Sequence, residues 1–284
     1  MTSVTMLGTG RMGYELAVHL LAAGHRLTVW NRTAQAADRL VEAGATRASS
    51  PQEAVEGAEV VITVLFGPDA VRDVVTGSAG SGIPGGAVWL DITTVAPADA
   101  DGFQTWADAR GTRYVHSPVI GSLAPARAGA LGVMVGGADA DVQEVLPLVA
   151  LWSDPERIRI VPTAARAAVG KLIANLALAV GLQGLVESLR LGRAHGVDAD
   201  EVLSMLDKTS LSVIAGMKGA MIRGGSFDDT QFSADLLAKD SRLMIRSTPD
   251  PLPAVTALLE NLTRIQRDGD GDSDIASVVR SELS

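Results

Sequence analysis

The 284-residue chain contains no cysteine, which excludes a disulfide framework, thiolate metal sites and a cysteine nucleophile. An oxidoreductase of this composition has to borrow its redox group. Aromatic residues make up only 4%, so the core must be filled by Ala, Leu, Val and Ile, which suits close packing of helices on helices and on a sheet. An excess of positive charge is missing as well: the net charge of −9 argues against a nucleic-acid footprint or an anchor for anionic membranes. No apolar run is long enough to span a bilayer, since the least charged stretch, Leu172 to Val186, contains Asn175 and Gln183 and falls short of about 18 residues. An apolar strand pattern begins by Val4, leaving no room for the two regions of a signal peptide. The expectation is a cytoplasmic protein whose partner is a small molecule, with no nucleic acid and no membrane.

What is present divides into two halves. Up to residue 162 short β-branched runs alternate with Ala-rich stretches, the pattern of parallel strands joined by crossover helices. Strands are predicted at Val4 to Leu7, Arg26 to Trp30, Val60 to Leu65, Ala87 to Asp91, Arg113 to His116 and Leu131 to Val135. Ser50-Pro51-Gln52-Glu53 reads as a capping box with proline in the first turn, and Gly67-Pro68 and Ala96-Pro97 open further helices. From residue 163 to 284 only helical periodicity follows, beginning with a stretch to about His195 that is apolar around most of its circumference from Leu172 to Leu185. Such a helix needs burial on several sides, inside its own domain or against a second subunit. Asp198 and Glu201 form another capping box. The acidic run Asp268 to Asp274 has Ser273 and Val279 where a calcium loop requires Gly and a bidentate Glu, so it reads as a solvated turn whose last residues cap a helix from Ile275, and no metal is expected.

Gly8-Thr9-Gly10-Arg11-Met12-Gly13 directly follows the first strand and opens a helix carrying Leu16, Ala17, Leu20 and Leu21. In that context the first glycine permits a tight turn, the second lets backbone approach a pyrophosphate, and the third allows close packing of helix on strand. The second strand ends in Asn31-Arg32-Thr33, without the carboxylate that would bind a ribose 2′-hydroxyl. A guanidinium can fork onto a 2′-phosphate, so NADPH/NADP+ is the expected cofactor. Leu65 and Phe66, where the third strand ends, are assigned to the same site.

Lysine is scarce: Lys171, Lys208, Lys218 and Lys239 stand against twenty arginines. Where charge alone matters this chain uses arginine, so a lysine on an apolar helix is informative, because a desolvated amine can exchange a proton and a guanidinium cannot. Lys171 and Asn175 are four residues apart and share a helical face. Either the lysine snorkels from an apolar helix, or it serves a carbonyl reduction, where it can give the proton to oxygen while Asn175 orients the substrate or the lysine.

These residues together resemble the β-hydroxyacid dehydrogenase family, within the 6-phosphogluconate dehydrogenase superfamily. Besides the glycine loop and Asn31-Arg32-Thr33, the likeness rests on Asp91-Ile92-Thr93-Thr94, on Pro118 to Ser122 with Pro125-Ala126 and Gly129 to Leu131, on Gly170-Lys171 with Asn175, and on Phe232 with Lys239-Asp240. The resemblance implies a Rossmann-like α/β domain over 1–162, an all-helical domain over 163–284 for substrate and dimerisation, and a long interdomain helix. It further implies an active site in the cleft and a homodimer or homotetramer. It implies Lys171 as proton donor, Asn175 as orienter, Thr94 and Lys239 near the nicotinamide, and Gly121, Ser122, Phe232 and Asp240 along the substrate pocket. The chain departs from the family pattern at three places. Ile120 replaces a carboxylate-holding serine and adds apolar bulk. His116-Ser117 replaces an acidic-Ala pair, with His116 read as structural, and Ala165 and Ala167 stand in for glycines. The departures suggest a larger or less polar substrate than glyoxylate. The function implied is NADPH-dependent interconversion of a small aldehyde or ketone, such as a semialdehyde, with its alcohol. Two alternatives are an imine reductase on the same scaffold, which usually lacks the lysine, and a noncatalytic NADPH-binding scaffold.

Overall fold

The computed structural model describes residues 2–79 and 83–283. The chain divides into two compact units, Met1–Lys171 and Leu172–Ser284.

The first unit is built on a nine-stranded sheet. Strands β1 (Ser3–Leu7), β2 (Arg26–Trp30), β3 (Thr46–Arg47), β4 (Val60–Thr63), β5 (Val88–Asp91) and β6 (Arg113–His116) are all parallel, in the order β3-β2-β1-β4-β5-β6. β8 (Leu131–Gly137) then pairs antiparallel with both β6 and β7 (Val119–Ile120), and β9 (Ser153–Val161) pairs parallel with β8. The strand order reverses between β1 and β4, the place where open α/β sheets bind ligands beyond their carboxyl ends. Residues alternate between two cores because both faces are covered. Val88 and Leu90 join the layer of α1 (Arg11–Ala22), α6 (Leu123–Arg127) and α7 (Asp139–Val149), while Trp89 faces the layer that includes α5 (Pro97–Asp108).

The few aromatic residues are concentrated on that second face. The Trp89 ring lies 4.7 Å from Tyr114, 5.5 Å from Phe103 and 5.8 Å from Trp106. Such pairs each add about 0.5–1.5 kcal/mol beyond their area burial. Helix starts follow the residues expected of them. The Ser50 hydroxyl accepts from Glu53 N at 3.1 Å to open α3 (Pro51–Val55), but the Glu53 carboxylate accepts from Ser49 N at 2.8 Å rather than closing the box on Ser50. At α5 the Asp99 carboxylate accepts from Ala96 N at 3.0 Å.

The predicted long helix is α8 (Ala164–Ala194). Its first turns pack Ala164 and Ala168 into the Trp89 core, which is why the first unit extends to Lys171 and does not end before the helix. Although its least charged stretch, Leu172 to Val186, reads from the sequence as too short for a span, the whole of α8 is by length and composition alone able to cross a membrane, with 44% of its most apolar 18-residue stretch buried in the fold.

The second unit contains the rest of α8 with α9 (Ala199–Met205), α10 (Ser212–Gly224), α11 (Ala234–Arg246), α12 (Pro253–Arg267) and a closing 3₁₀ turn, Ile275–Glu282. Gln183 does not stay unsatisfied within its apolar helix: it accepts from Asn261 Nδ2 at 3.1 Å and donates to Glu187 at 2.7 Å. Asp198 accepts from Glu201 N at 2.9 Å, capping α9.

The end of the acidic run turns inward. Asp274 is fully buried and lies 2.8 Å from Lys218 Nζ. It also accepts from the backbone N–H groups of Ala276, Gln231 and Phe232, at 2.9, 3.0 and 3.3 Å. One carboxylate thus ties α10, the loop before α11 and the closing turn together. Removing one member of a buried ion pair strands the other charge, at a cost of about 3–5 kcal/mol. Asp274→Ala is therefore expected to lower the unfolding free energy of the helical unit by about 3 kcal/mol or more, followed by far-UV circular dichroism in urea. A loss below about 1 kcal/mol, the scale of an exposed pair, would contradict this role.

Candidate active site

At the end of β1 the chain turns at Gly8, whose φ of +102° is closed to most side chains and whose N–H donates to the Trp30 carbonyl at 2.8 Å. A Cβ on Gly13 would run into the Gly8 carbonyl oxygen, so the third glycine seats α1 directly on the turn. Around Gly10 a Cβ would meet no protein atom, which leaves the backbone open to a ligand. The loop is also strapped to its neighbour. Thr9 N donates to Asn31 Oδ1 at 3.0 Å, and Asn31 Nδ2 donates to the Thr33 carbonyl at 2.9 Å. Asn31 is thus spent largely within the protein, holding the glycine loop to the turn after β2, and Arg32 and Thr33 remain exposed beside it. Thr33 is the N-cap of the next turn, although its side chain makes no capping bond.

A cavity of about 330 Å³ opens beside this loop, lined by Thr9, Gly10, Arg11, Tyr14, Arg39 and Arg127 among others. Arg39 lies over the Tyr14 ring at 4.0 Å and donates to its hydroxyl at 2.9 Å, while Arg127 pairs with Glu15 at 2.7 Å. Three guanidinium groups against one carboxylate give the cavity a positive lining in a negatively charged chain. With the buried Thr9 hydroxyl, which has no hydrogen-bond partner among the described residues, the donor set fits the phosphates of a dinucleotide.

Beyond the carboxyl ends of β4 and β5 stand Leu65, Phe66 and Thr94. Phe66 is exposed, and Leu65 N leaves the ladder to donate to the Thr93 hydroxyl at 3.1 Å, which is why β4 ends two residues before Leu65. Asp91, fully buried, organises this region. One carboxylate oxygen accepts from the Thr63 hydroxyl at 2.7 Å and Thr93 N at 3.0 Å, the other from the Tyr114 hydroxyl at 3.0 Å. Burial, reinforced by the Asp91 charge, holds the Tyr114 phenol well above its usual range, so it stays protonated and keeps donating. His116 is buried on β6, stacked near Tyr114 with Nδ1 3.7 Å from Asp91, inside the sheet rather than in an open site. The next segment forms β7, ending at half-buried Ile120. Exposed Gly121 and half-buried Ser122 then lead into α6.

Lys171 and Asn175 lie one turn apart on α8, and both are buried. In the second unit Asn175 Nδ2 donates to Asp240 Oδ2 at 2.6 Å, and Lys239 Nζ lies 2.6 Å from Asp240 Oδ1. Phe232 is half-buried on the loop that Asp274 fixes. The structure therefore brings Asn175, Lys239 and Asp240 into one cluster, and brings the glycine loop together with Asn31. Sequence reasoning missed Tyr114 and the bridging position of Asp240. One of only two tyrosines, two residues before a histidine on a buried strand, was the signal for the first.

Comparison with known proteins gives the context of these residues. Residues 3–161 match the NAD binding domain of 6-phosphogluconate dehydrogenase, and residues 165–281 match the NAD-binding domain of NADP-dependent 3-hydroxyisobutyrate dehydrogenase. An NAD-dependent L-serine dehydrogenase of Pseudomonas aeruginosa is 32% identical over 84% of this chain and 83% of its own. The structure of Mycobacterium tuberculosis 3-hydroxyisobutyrate dehydrogenase with L-serine superposes with a TM-score of 0.87 over all of both chains at 23% identity, a likeness of fold. A reductive aminase from Aspergillus terreus, in complex with NADPH4, cyclohexanone and allyl amine, gives a TM-score of 0.64 at 25% identity over 99% of each chain.

Proposed function

Because the chain belongs to the β-hydroxyacid dehydrogenase family of NAD(P)-dependent oxidoreductases, we propose that it is an NADPH-dependent reductase that interconverts a small aldehyde or ketone with its alcohol, Lys171 serving as general acid and base. The observation that carries the reading is the burial of Lys171 on α8, one turn before Asn175. The other buried lysine, Lys218, is paired with Asp274 and serves the fold. Reduction adds a hydride to the carbonyl carbon and a proton to its oxygen. The cofactor supplies the hydride when bound. Lys171, as the ammonium, gives the proton from Nζ, and in the oxidative direction the neutral amine takes it back. Asn175 does not titrate and serves to orient.

The preference for NADPH rests on exposed Arg32 and on the absence of a carboxylate at the end of β2, where Asn31 is engaged with Thr9 and Thr33. Ile120 offers no donor to a carboxylate, which supports an aldehyde or ketone less polar than a semialdehyde among the carbonyl substrates. Reduction of an imine is the second reading, favoured by the likeness to the reductive aminase. Against it stands the lysine, whose cationic form repels an iminium.

We further propose that the enzyme is a homodimer or a higher homo-oligomer formed through its helical unit. Ile173 and Val180 on α8 and Val213 and Met217 on α10 are 42–72% exposed in one chain, and a second copy would cover them. A monomeric mass by multi-angle light scattering at micromolar concentration would refute this.

Lys171→Ala is expected to lower kcat on the best carbonyl by about 10²-fold or more, measured as NADPH consumption across aldehydes, ketones and cyclic imines. Turnover that survives nearly intact would sink the lysine mechanism, and faster turnover of imines than of any carbonyl would favour the second reading. Arg32→Ala is expected to weaken NADPH about tenfold or more, the value of one charge-assisted contact, and to leave NADH nearly unchanged. Equal losses for both cofactors in binding titrations would defeat the 2′-phosphate assignment.

A further inference from the structure

The family resemblance puts Asp240 along the substrate pocket, and the fold buries it. It is 1% exposed, and its two carboxylate oxygens lie 2.6 Å from Asn175 Nδ2 and 2.6 Å from Lys239 Nζ. An ionised carboxylate accepts hydrogen bonds and cannot donate them. Asn175, in contrast, has two unlike ends, an amide NH₂ and a carbonyl oxygen. If the amide were flipped, its oxygen would stand 2.6 Å from a carboxylate oxygen, two acceptors in contact in a buried site, so only one orientation is tolerated. The Lys239 ammonium supplies the positive charge that a carboxylate this deeply buried requires.

The consequence is directional. Asn175 is held with its NH₂ toward Asp240, so its carbonyl oxygen faces away from that carboxylate and meets other groups as an acceptor. The donor that shares its helix face, one turn earlier, is Lys171.

We propose that Asp240 is a positioning residue: through Lys239 and the Asn175 amide it fixes an acceptor oxygen that orients the Lys171 ammonium for proton delivery. The inference rests on the reading of Lys171 as general acid, and it assigns Asp240 a role without substrate contact.

The test uses the full-length enzyme and the best carbonyl substrate. Asp240→Asn is expected to lower kcat about tenfold or more while KM for the carbonyl changes less than about threefold, because orientation of the acid is lost rather than binding. The exchange variant, Asn175→Asp with Asp240→Asn, keeps an N–H···O bond between the two positions and a carbonyl oxygen for Lys239. It should melt near wild type by circular dichroism. It turns a carboxylate toward Lys171, however, which favours the ammonium, so the alkaline limb of the kcat/KM profile should move up by about one pH unit or more. If the exchange variant fails to fold, Asn175→Ala combined with Asp240→Asn replaces it, and the pair should lose no more than either change alone. Wild-type kcat in Asp240→Asn, an unmoved alkaline limb in a well-folded exchange variant, or additive losses in the replacement pair would each overturn the inference. A limb that vanishes in Lys171→Ala but stays unmoved in the exchange variant overturns the role of Asp240 alone. A limb that survives Lys171→Ala overturns the underlying reading of the lysine.

Discussion

A buried charge is tolerated only where enough donors converge on it, and in the α/β unit that requirement falls on Asp91. Its carboxylate draws together the Thr63 hydroxyl at the end of β4, Thr93 N just past the end of β5 and the Tyr114 hydroxyl on β6. The donors come from β4, from the turn just past β5 and from β6, and beyond these three strand ends run Leu65 and Phe66, Thr94, and the chain from Pro118 to Ser122. The carboxylate cannot lose a donor cheaply, and so the three segments cannot drift apart without exposing an unsatisfied charge. Strand pairing alone would leave them joined only at their bases.

The glycine loop obeys a different constraint, one of exclusion. Gly8 and Gly13 are fixed by what backbone would collide with, whereas Gly10 is fixed by nothing in the protein and is left open for a ligand. Asn31 then converts a flexible turn into a held one by satisfying Thr9 N on one side and the Thr33 carbonyl on the other. A preorganised loop of this kind does not have to be ordered when a phosphate arrives, so less of the binding energy is lost to conformational entropy.

Much of this was legible from residue order. β2 and β6 have the predicted bounds, and α8 runs close to its predicted length, because β-branched alternation and helical periodicity are local signals. β9 was missed for a local reason too: Asp154, Pro155, Glu156, Arg157 and Arg159 crowd an edge strand with little buried surface, and only Ile158 and Ile160 alternate with the arginines. β3 and β7, two residues each, are too short to carry any period. The site was readable as motifs but not as a network. Asp91 is separated from Thr63 by 28 positions and from Tyr114 by 23, Asn175 from Asp240 by 65, and no spacing rule reaches that far. The same limit hid Asn31, whose amide reads equally well as a ligand contact or as a strap.

The scarcity of aromatic residues has a practical side. All four tryptophans, at positions 30, 89, 106 and 152, and both tyrosines, at 14 and 114, belong to the α/β unit, leaving the helical unit with phenylalanine alone. Intrinsic emission from this protein therefore reports on the dinucleotide-binding half and is blind to the other. A single optical melt recorded that way would register one event even if the halves came apart at different temperatures, and two-state behaviour inferred from it would be a property of the probe.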